Sequence, residues 1–136
     1  MSRTSILLAD DNSSVLAYVS EMLEKEKHYQ VVGAISDGAT VVSECLQLRP
    51  NVIILDISMG KLNGIELARE LRDSGCVTKI IFLTVYEDAD YMKAAMDAGG
   101  SAYVVKSRMN QDLLSAISAV LAKRLFVSAR ALMNKL

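Results

Sequence analysis

Histidine and cysteine are scarce in this 136-residue chain: one histidine, His28, and two cysteines, Cys45 and Cys76. His28 stands in the charged stretch EKEKHYQ, and the cysteines have neither CxxC spacing nor a histidine beside them. This pattern excludes a Cys/His metal site and a disulfide framework. Two unpaired thiols fit a reducing cytoplasm. An excess of positive charge is missing too. Fifteen basic and sixteen acidic residues leave a formal net charge of -1, with no basic block. A nucleic-acid-binding domain carries a basic patch, so this stretch is not expected to contact nucleic acid itself. Long apolar runs are also absent. The longest, such as 80–85, fall far short of the roughly 20 residues that a membrane-spanning helix needs. The N-terminal MSRTS leads into a strand-like run and has no secretory signal pattern.

The composition that remains is that of a globular domain. Half of the residues are apolar, in a length suited to one domain with a real core. Short apolar runs at 6–9, 31–35, 52–55, 80–83 and 102–105 alternate with segments of helical period. Most runs are continuous, as strands buried on both faces of a parallel sheet should be. The run at 31–35, broken by Gly33, suits an edge.

Val15, Leu16, Val19, Met22 and Leu23 mark a first helix, with Ser13 or Ser14 as its cap. Asp37-Gly38 opens a second, with Val42, Cys45 and Leu46 inward and Pro50 beyond its end. Asn63 caps a third, with Glu66 in the capping-box position and Gly75 at its end. Asp88 starts a fourth, with Met92, Ala95 and Met96 inward. Asn110 starts a fifth, with Leu113, Leu114, Ile117, Val120 and Leu121 on its apolar faces. Five βα units joined by right-handed crossovers predict an α/β fold. The small solution is a flavodoxin-like (βα)5 three-layer sandwich, a parallel five-stranded sheet in the order 2-1-3-4-5. Residues 1–123 make this domain. Residues 124–136 form a tail, either a short extra helix or the start of a connection.

The strand ends carry the chemistry. The first strand ends in Asp10-Asp11, the third in Asp56, the fourth in Thr84 and the fifth in Lys106. This architecture places its site at those carboxyl ends. Strands one and three are neighbours in the expected order, so three carboxylates converge, and they cannot all ionise cheaply without a cation. Mg²⁺ suits them, being a hard ion held by a few carboxylates, water and phosphate. Such a site serves phosphoryl transfer. Asp56 is the candidate nucleophile, forming an acyl phosphate. Lys106 supplies a point charge to the phosphoryl oxygens and Thr84 a hydroxyl donor.

The segments LLADDNSS, IILDISM, FLTVYED and AYVVKS together resemble the receiver domain of bacterial two-component response regulators, over about residues 4–123. The resemblance implies that Asp56 takes a phosphoryl group from a phosphohistidine on a sensor histidine kinase. It implies Mg²⁺ at Asp11, Asp56 and the backbone carbonyl of Ser58, with Asp10 acting through water. It implies a switch pair, Thr84 and Tyr103: Thr84 moves toward the phosphoryl oxygens and the Tyr103 ring turns inward. It implies a phosphoacceptor that hydrolyses its own acyl phosphate, not an enzyme with a separate substrate.

The stretch TVYEDADYMKAAMDAGGSAYVVKS narrows the resemblance to the NarL/FixJ subfamily, whose members usually carry a C-terminal LuxR-type helix-turn-helix. The tail at 125–128 is similar to the start of that subfamily's linker. DNA would then be bound only through a domain absent from this chain. The alternative is a stand-alone receiver acting in a phosphorelay. A homodimer is expected, through helices one and five or through the face of helix four, strand five and helix five. Gly60 stands where receivers commonly have proline. It is expected to loosen the loop, so that Gly60→Pro raises stability modestly. Two rivals share part of the pattern. A haloacid-dehalogenase-like phosphatase would need DxDxT after the first strand, where ADDNS stands. A flavin module would need a hydroxyl-rich phosphate loop at that place.

Overall fold

The continuous apolar runs become strands whose two faces are both covered. The computed structural model describes residues 3–128. Five strands lie where the sequence expects them: β1 (Thr4–Ala9), β2 (Tyr29–Ile35), β3 (Val52–Leu55), β4 (Lys79–Thr84) and β5 (Ala102–Val105). All pair in parallel, with β2 at one edge. The helices are α1 (Ser13–Glu24), α2 (Val41–Leu48), α3 (Gly64–Asp73), α4 (Ala89–Asp97) and α5 (Met109–Leu121).

Successive residues along a strand feed opposite cores. Leu7, Ala9, Ile53 and Leu55 pack with Val41, Cys45, Leu67, Leu71 and Ala95, beneath α2, α3 and α4. Ile6, Leu8, Val52 and Ile54 pack with Val19, Leu23, Leu113 and Ile117, beneath α1 and α5. The period of two along each strand therefore builds a three-layer sandwich. Cys45 is core filling, as its helical position suggests. Among the described residues, no helix is long and apolar enough to cross a membrane.

Four details differ from expectation. The sheet has a sixth, two-residue strand, β6 (Phe126–Val127), parallel to β5, so the order is β2-β1-β3-β4-β5-β6. The chain turns back after α5 through Lys123, in the left-handed region at φ 62. It then satisfies the outer edge of β5, which would otherwise present unpaired backbone. Phe126 and Val127 settle against opposite cores. The rest of the tail, 129–136, lies outside the described residues. Second, α1 is capped by Asn12, whose side chain accepts from the Ser14 and Val15 amides, not by Ser13 or Ser14. Third, Val41 takes the inward place in α2, while Leu46 is 38% exposed. Fourth, Asn63 caps α3 through the Ile65 amide as expected, but Glu66 turns to Arg69 instead of completing a capping box.

Candidate functional site

The register of the sheet brings four strand ends to one edge. Ala9 lies opposite Leu55, Leu55 opposite Phe82, and Thr84 opposite Val105. Asp10, Asp56 and Lys106 each follow the last residue of such a strand, and Thr84 ends β4. Backbone bonds carry the alignment past the strand ends: the Asp10 amide donates to the Ile35 carbonyl at 3.0 Å, and the Asp56 amide to the Ala9 carbonyl at 2.9 Å. The central run VIIL is fully buried, so the residue after it has little freedom to move.

Carboxylate oxygens of Asp10, Asp11 and Asp56 lie within 4.8 Å of one another. Asp10 and Asp56 are each 3% exposed, while Asp11 is open to solvent. The Lys106 ammonium lies 2.9 Å from Asp10 Oδ2 and 3.3 Å from Asp56 Oδ2. The Ser58 amide donates to Asp56 Oδ1 at 3.3 Å. Asp10 Oδ1 accepts from the Asn12 amide at 2.9 Å. Asp10 Oδ2 is buried, and its partner is the Lys106 ammonium at 2.9 Å. One lysine pairs with two buried carboxylates, and Asp11 brings a third negative charge beside them. This oxygen donor set suits a hard divalent cation.

Electrostatics follow from the crowding. Burial, and then the charge of Asp10, push the Asp56 carboxyl up from its ordinary value to about 6. Lys106 and the Ser58 amide pull against that rise without cancelling it. Burial works against the Lys106 ammonium, but its hydrogen bond to Asp10 and the charges of Asp56 and Asp10 raise it overall. The pocket therefore holds its lysine charged and its central carboxylate reluctant.

Thr84 and Tyr103 are both fully buried. They are joined through Tyr86. The Tyr86 amide donates to Thr84 Oγ1 at 3.2 Å, and the Tyr103 hydroxyl donates to the Tyr86 carbonyl at 2.8 Å. Burial first, then Asp88, raises the Tyr103 phenol, so it stays a donor. The Tyr86 hydroxyl also meets Ser58 Oγ at 3.0 Å, and its ring stacks on Tyr91 at 4.2 Å. Sequence reasoning missed Tyr86 altogether. Its links to Thr84 and Tyr103 are made by backbone atoms, which leave no mark on residue choice.

Two glycines shape the loop after β3. A Cβ on Gly64 would lie 2.0 Å from the Asp56 carbonyl oxygen, so only glycine lets α3 begin this close to the acceptor strand. The Gly60 amide donates to Asp11 Oδ2 at 3.2 Å, with Gly60 at φ +65. This overturns the expectation that Gly60→Pro stabilises. Proline holds φ near -65° and has no N–H, so it can neither adopt this turn nor hold Asp11.

A family model for the response regulator receiver domain matches residues 6–118. The chain belongs to that family. DesR, a transcriptional regulatory protein of Bacillus subtilis (strain 168), is 35% identical to the receiver over 123 residues, 90% of this chain and 61% of DesR. The receiver thus spans about three fifths of the length of the curated relatives that it matches first. A two-component response regulator of the LuxR family from Aurantimonas sp. SI85-9A1 superposes with a TM-score of 0.92 at 27% identity, covering 98% of this chain and 95% of that one. The isolated receiver domain of RcsB from Salmonella enterica serovar Typhimurium, solved with the phosphomimetic BeF3-, superposes with a TM-score of 0.89 at 25% identity, covering 97% and 98%.

Proposed function

We propose that this receiver accepts a phosphoryl group on Asp56 from the phosphohistidine of a sensor histidine kinase. The observation that carries the reading is the meeting of Asp10, Asp11 and Asp56 within 4.8 Å, beside the ammonium of Lys106. In the transfer, an Asp56 carboxylate oxygen bonds to phosphorus as the phosphorus–nitrogen bond breaks, and that bond's electron pair stays with the imidazole. The carboxyl sits at about 6, so Asp56 is an anion at neutral pH and able to attack. Lys106 is placed to share the charge of the phosphoryl oxygens. Thr84 Oγ1 accepts from the Tyr86 amide, which leaves its own O–H as a donor.

Asp11, Asp56 and the Ser58 backbone carbonyl would hold Mg²⁺, with Asp10 acting through water. Its buried carboxylate, within 4.8 Å of those of Asp11 and Asp56, fits that role. Bound there, the ion supplies positive charge against the phosphoryl oxygens. The one hydrolysis this receiver performs is loss of its own phosphoryl group. Thr84 and Tyr103 form the switch pair, with Tyr86 between them.

For the output we look to DesR, which is a transcriptional regulatory protein. The receiver includes β6 and Ser128, beyond the boundary at 123 that the sequence suggests, and the DNA-binding domain is a LuxR-type one outside this chain. The whole works in the cytoplasm as a phosphorylation-dependent homodimer. Incubation with a small phosphodonor and Mg²⁺ should add the mass of one phosphoryl group to the wild type and none to Asp56→Asn. Equal phosphorylation of Asp56→Asn would contradict the assignment.

A further inference from the structure

The residue that delivers Lys106 is tied down by the tail. β5 ends at Val105, and Lys106 opens the 3-10 turn Lys106–Arg108 that leads into α5. On the outer side of β5, β6 reaches only Ala102 and Tyr103. The Val105 amide lies two residues beyond that pairing, buried and in need of an acceptor. Ser128, 0% exposed, supplies it: Ser128 Oγ accepts from the Val105 amide at 3.1 Å. The Ser128 amide in turn donates to the Tyr103 carbonyl at 2.8 Å.

The hydroxyl is aimed by a second contact. Ser128 Oγ donates to Asp112 Oδ2 at 2.8 Å. Asp112 lies in the first turn of α5, where the helix dipole favours an anion. Arg108 holds the same carboxylate, with Nε 3.1 Å from Oδ2 and Nη2 3.4 Å from Oδ1. The turn that carries Lys106 is thus pinned before its start, at Val105, and at its end, at Arg108. Both pins meet at Ser128 and Asp112. The Lys106 ammonium, from that turn, reaches Asp10 and Asp56.

We propose that Ser128 is a positioning residue for Lys106, so that docking of the tail at 126–128 governs phosphoryl transfer to Asp56. The proposal rests on the phosphoacceptor reading above. Its physical content is a linkage: whatever frees Ser128 from Val105 and Asp112 loosens the Lys106 turn, and whatever engages Lys106 favours the docked tail. The Val105 amide, the Ser128 hydroxyl and the Asp112 carboxylate act in series, because the hydroxyl is both acceptor from Val105 and donor to Asp112, and a buried polar chain of this kind is stable only when complete.

The test compares wild type, Ser128→Ala and Asp112→Ala in two measurements. In Mg²⁺-free protein, NMR should show the Lys106 side-chain protons of Ser128→Ala moving to the averaged shifts of a solvated lysine, with faster exchange at the Val105 amide. With a small phosphodonor and Mg²⁺, the phosphorylation rate of Ser128→Ala should fall by at least about threefold. Asp112→Ala keeps the Ser128 backbone in place and should move both readouts the same way by less. It carries the test should Ser128→Ala fail to fold. Asp112→Asn keeps an acceptor for the hydroxyl and should restore a rate within about twofold of wild type. A folded variant that opens the Val105 amide but keeps wild-type Lys106 shifts and a wild-type rate would overturn the proposal and leave the phosphoacceptor reading intact. Absence of phosphorylation in the wild type would overturn both.

Discussion

Asp56 is held where its charge is disfavoured, and that leaves a trace in stability. Its carboxyl rises in the fold from an ordinary value of 3.8 to about 6. Between those values the folded protein binds more protons than the unfolded chain, so stability falls as pH rises through the window. Below the lower value both states are protonated and no penalty remains. Above the upper one the full penalty is present. In metal-free buffer, Asp56→Asn should therefore be more stable than wild type by roughly 1–3 kcal/mol at pH 7 and lose that advantage near pH 4. Urea denaturation at the two pH values reads this directly. Equal stabilities at pH 7 would mean that Lys106 neutralises the site more fully than the raised carboxyl indicates. At this scale the placement of Asp10, Asp11, Asp56, Thr84 and Lys106 at one end of the sheet was legible in the sequence, because each stands where an apolar run gives way to polar residues. The hydrogen bond from Gly60 to Asp11 was not, since it depends on a backbone turn. Gly60→Pro should cost about 2 kcal/mol or more, with a weaker response to Mg²⁺. Gly60→Ala should cost only about 1 kcal/mol, because its Cβ would meet nothing within 4 Å and its amide survives.

At the scale of elements, β3 and β5 have the bounds that their apolar runs suggest, because strands covered on both faces admit no polar interruption. Helix starts were less legible. The stretch DDNSS offers five capping residues in a row, and only the geometry selects Asn12. Asn12→Ala should lower stability by about 1 kcal/mol in thermal or chemical unfolding. An unchanged midpoint would show that a neighbouring serine takes over the cap. β6 was not legible at all. Two residues carry too little pattern, and their pairing with β5 is a tertiary contact. The same holds for Ser128, which looks like a linker serine until its hydroxyl is seen between Val105 and Asp112.

The described residues form a main six-stranded sheet that presents its chemistry at the carboxyl ends of its strands, with α1 and α5 packed on one face and α2, α3 and α4 on the other. Tyr86 stands at the border between pocket and surface, touching Thr84, Tyr103, Ser58 and Tyr91. A change at Asp56 can thus reach the α4 side through existing contacts. Sedimentation with Mg²⁺ and beryllofluoride should report a shift toward dimer. An unchanged mass at high protein concentration would count against dimerisation as the output. The central claim concerns one oxygen of one residue. Borohydride reduces an aspartyl phosphate to homoserine, so peptide mapping after phosphorylation and reduction locates the acceptor. Homoserine at position 56 is the predicted result; homoserine at position 10 or 11, with 56 unchanged, would contradict the account.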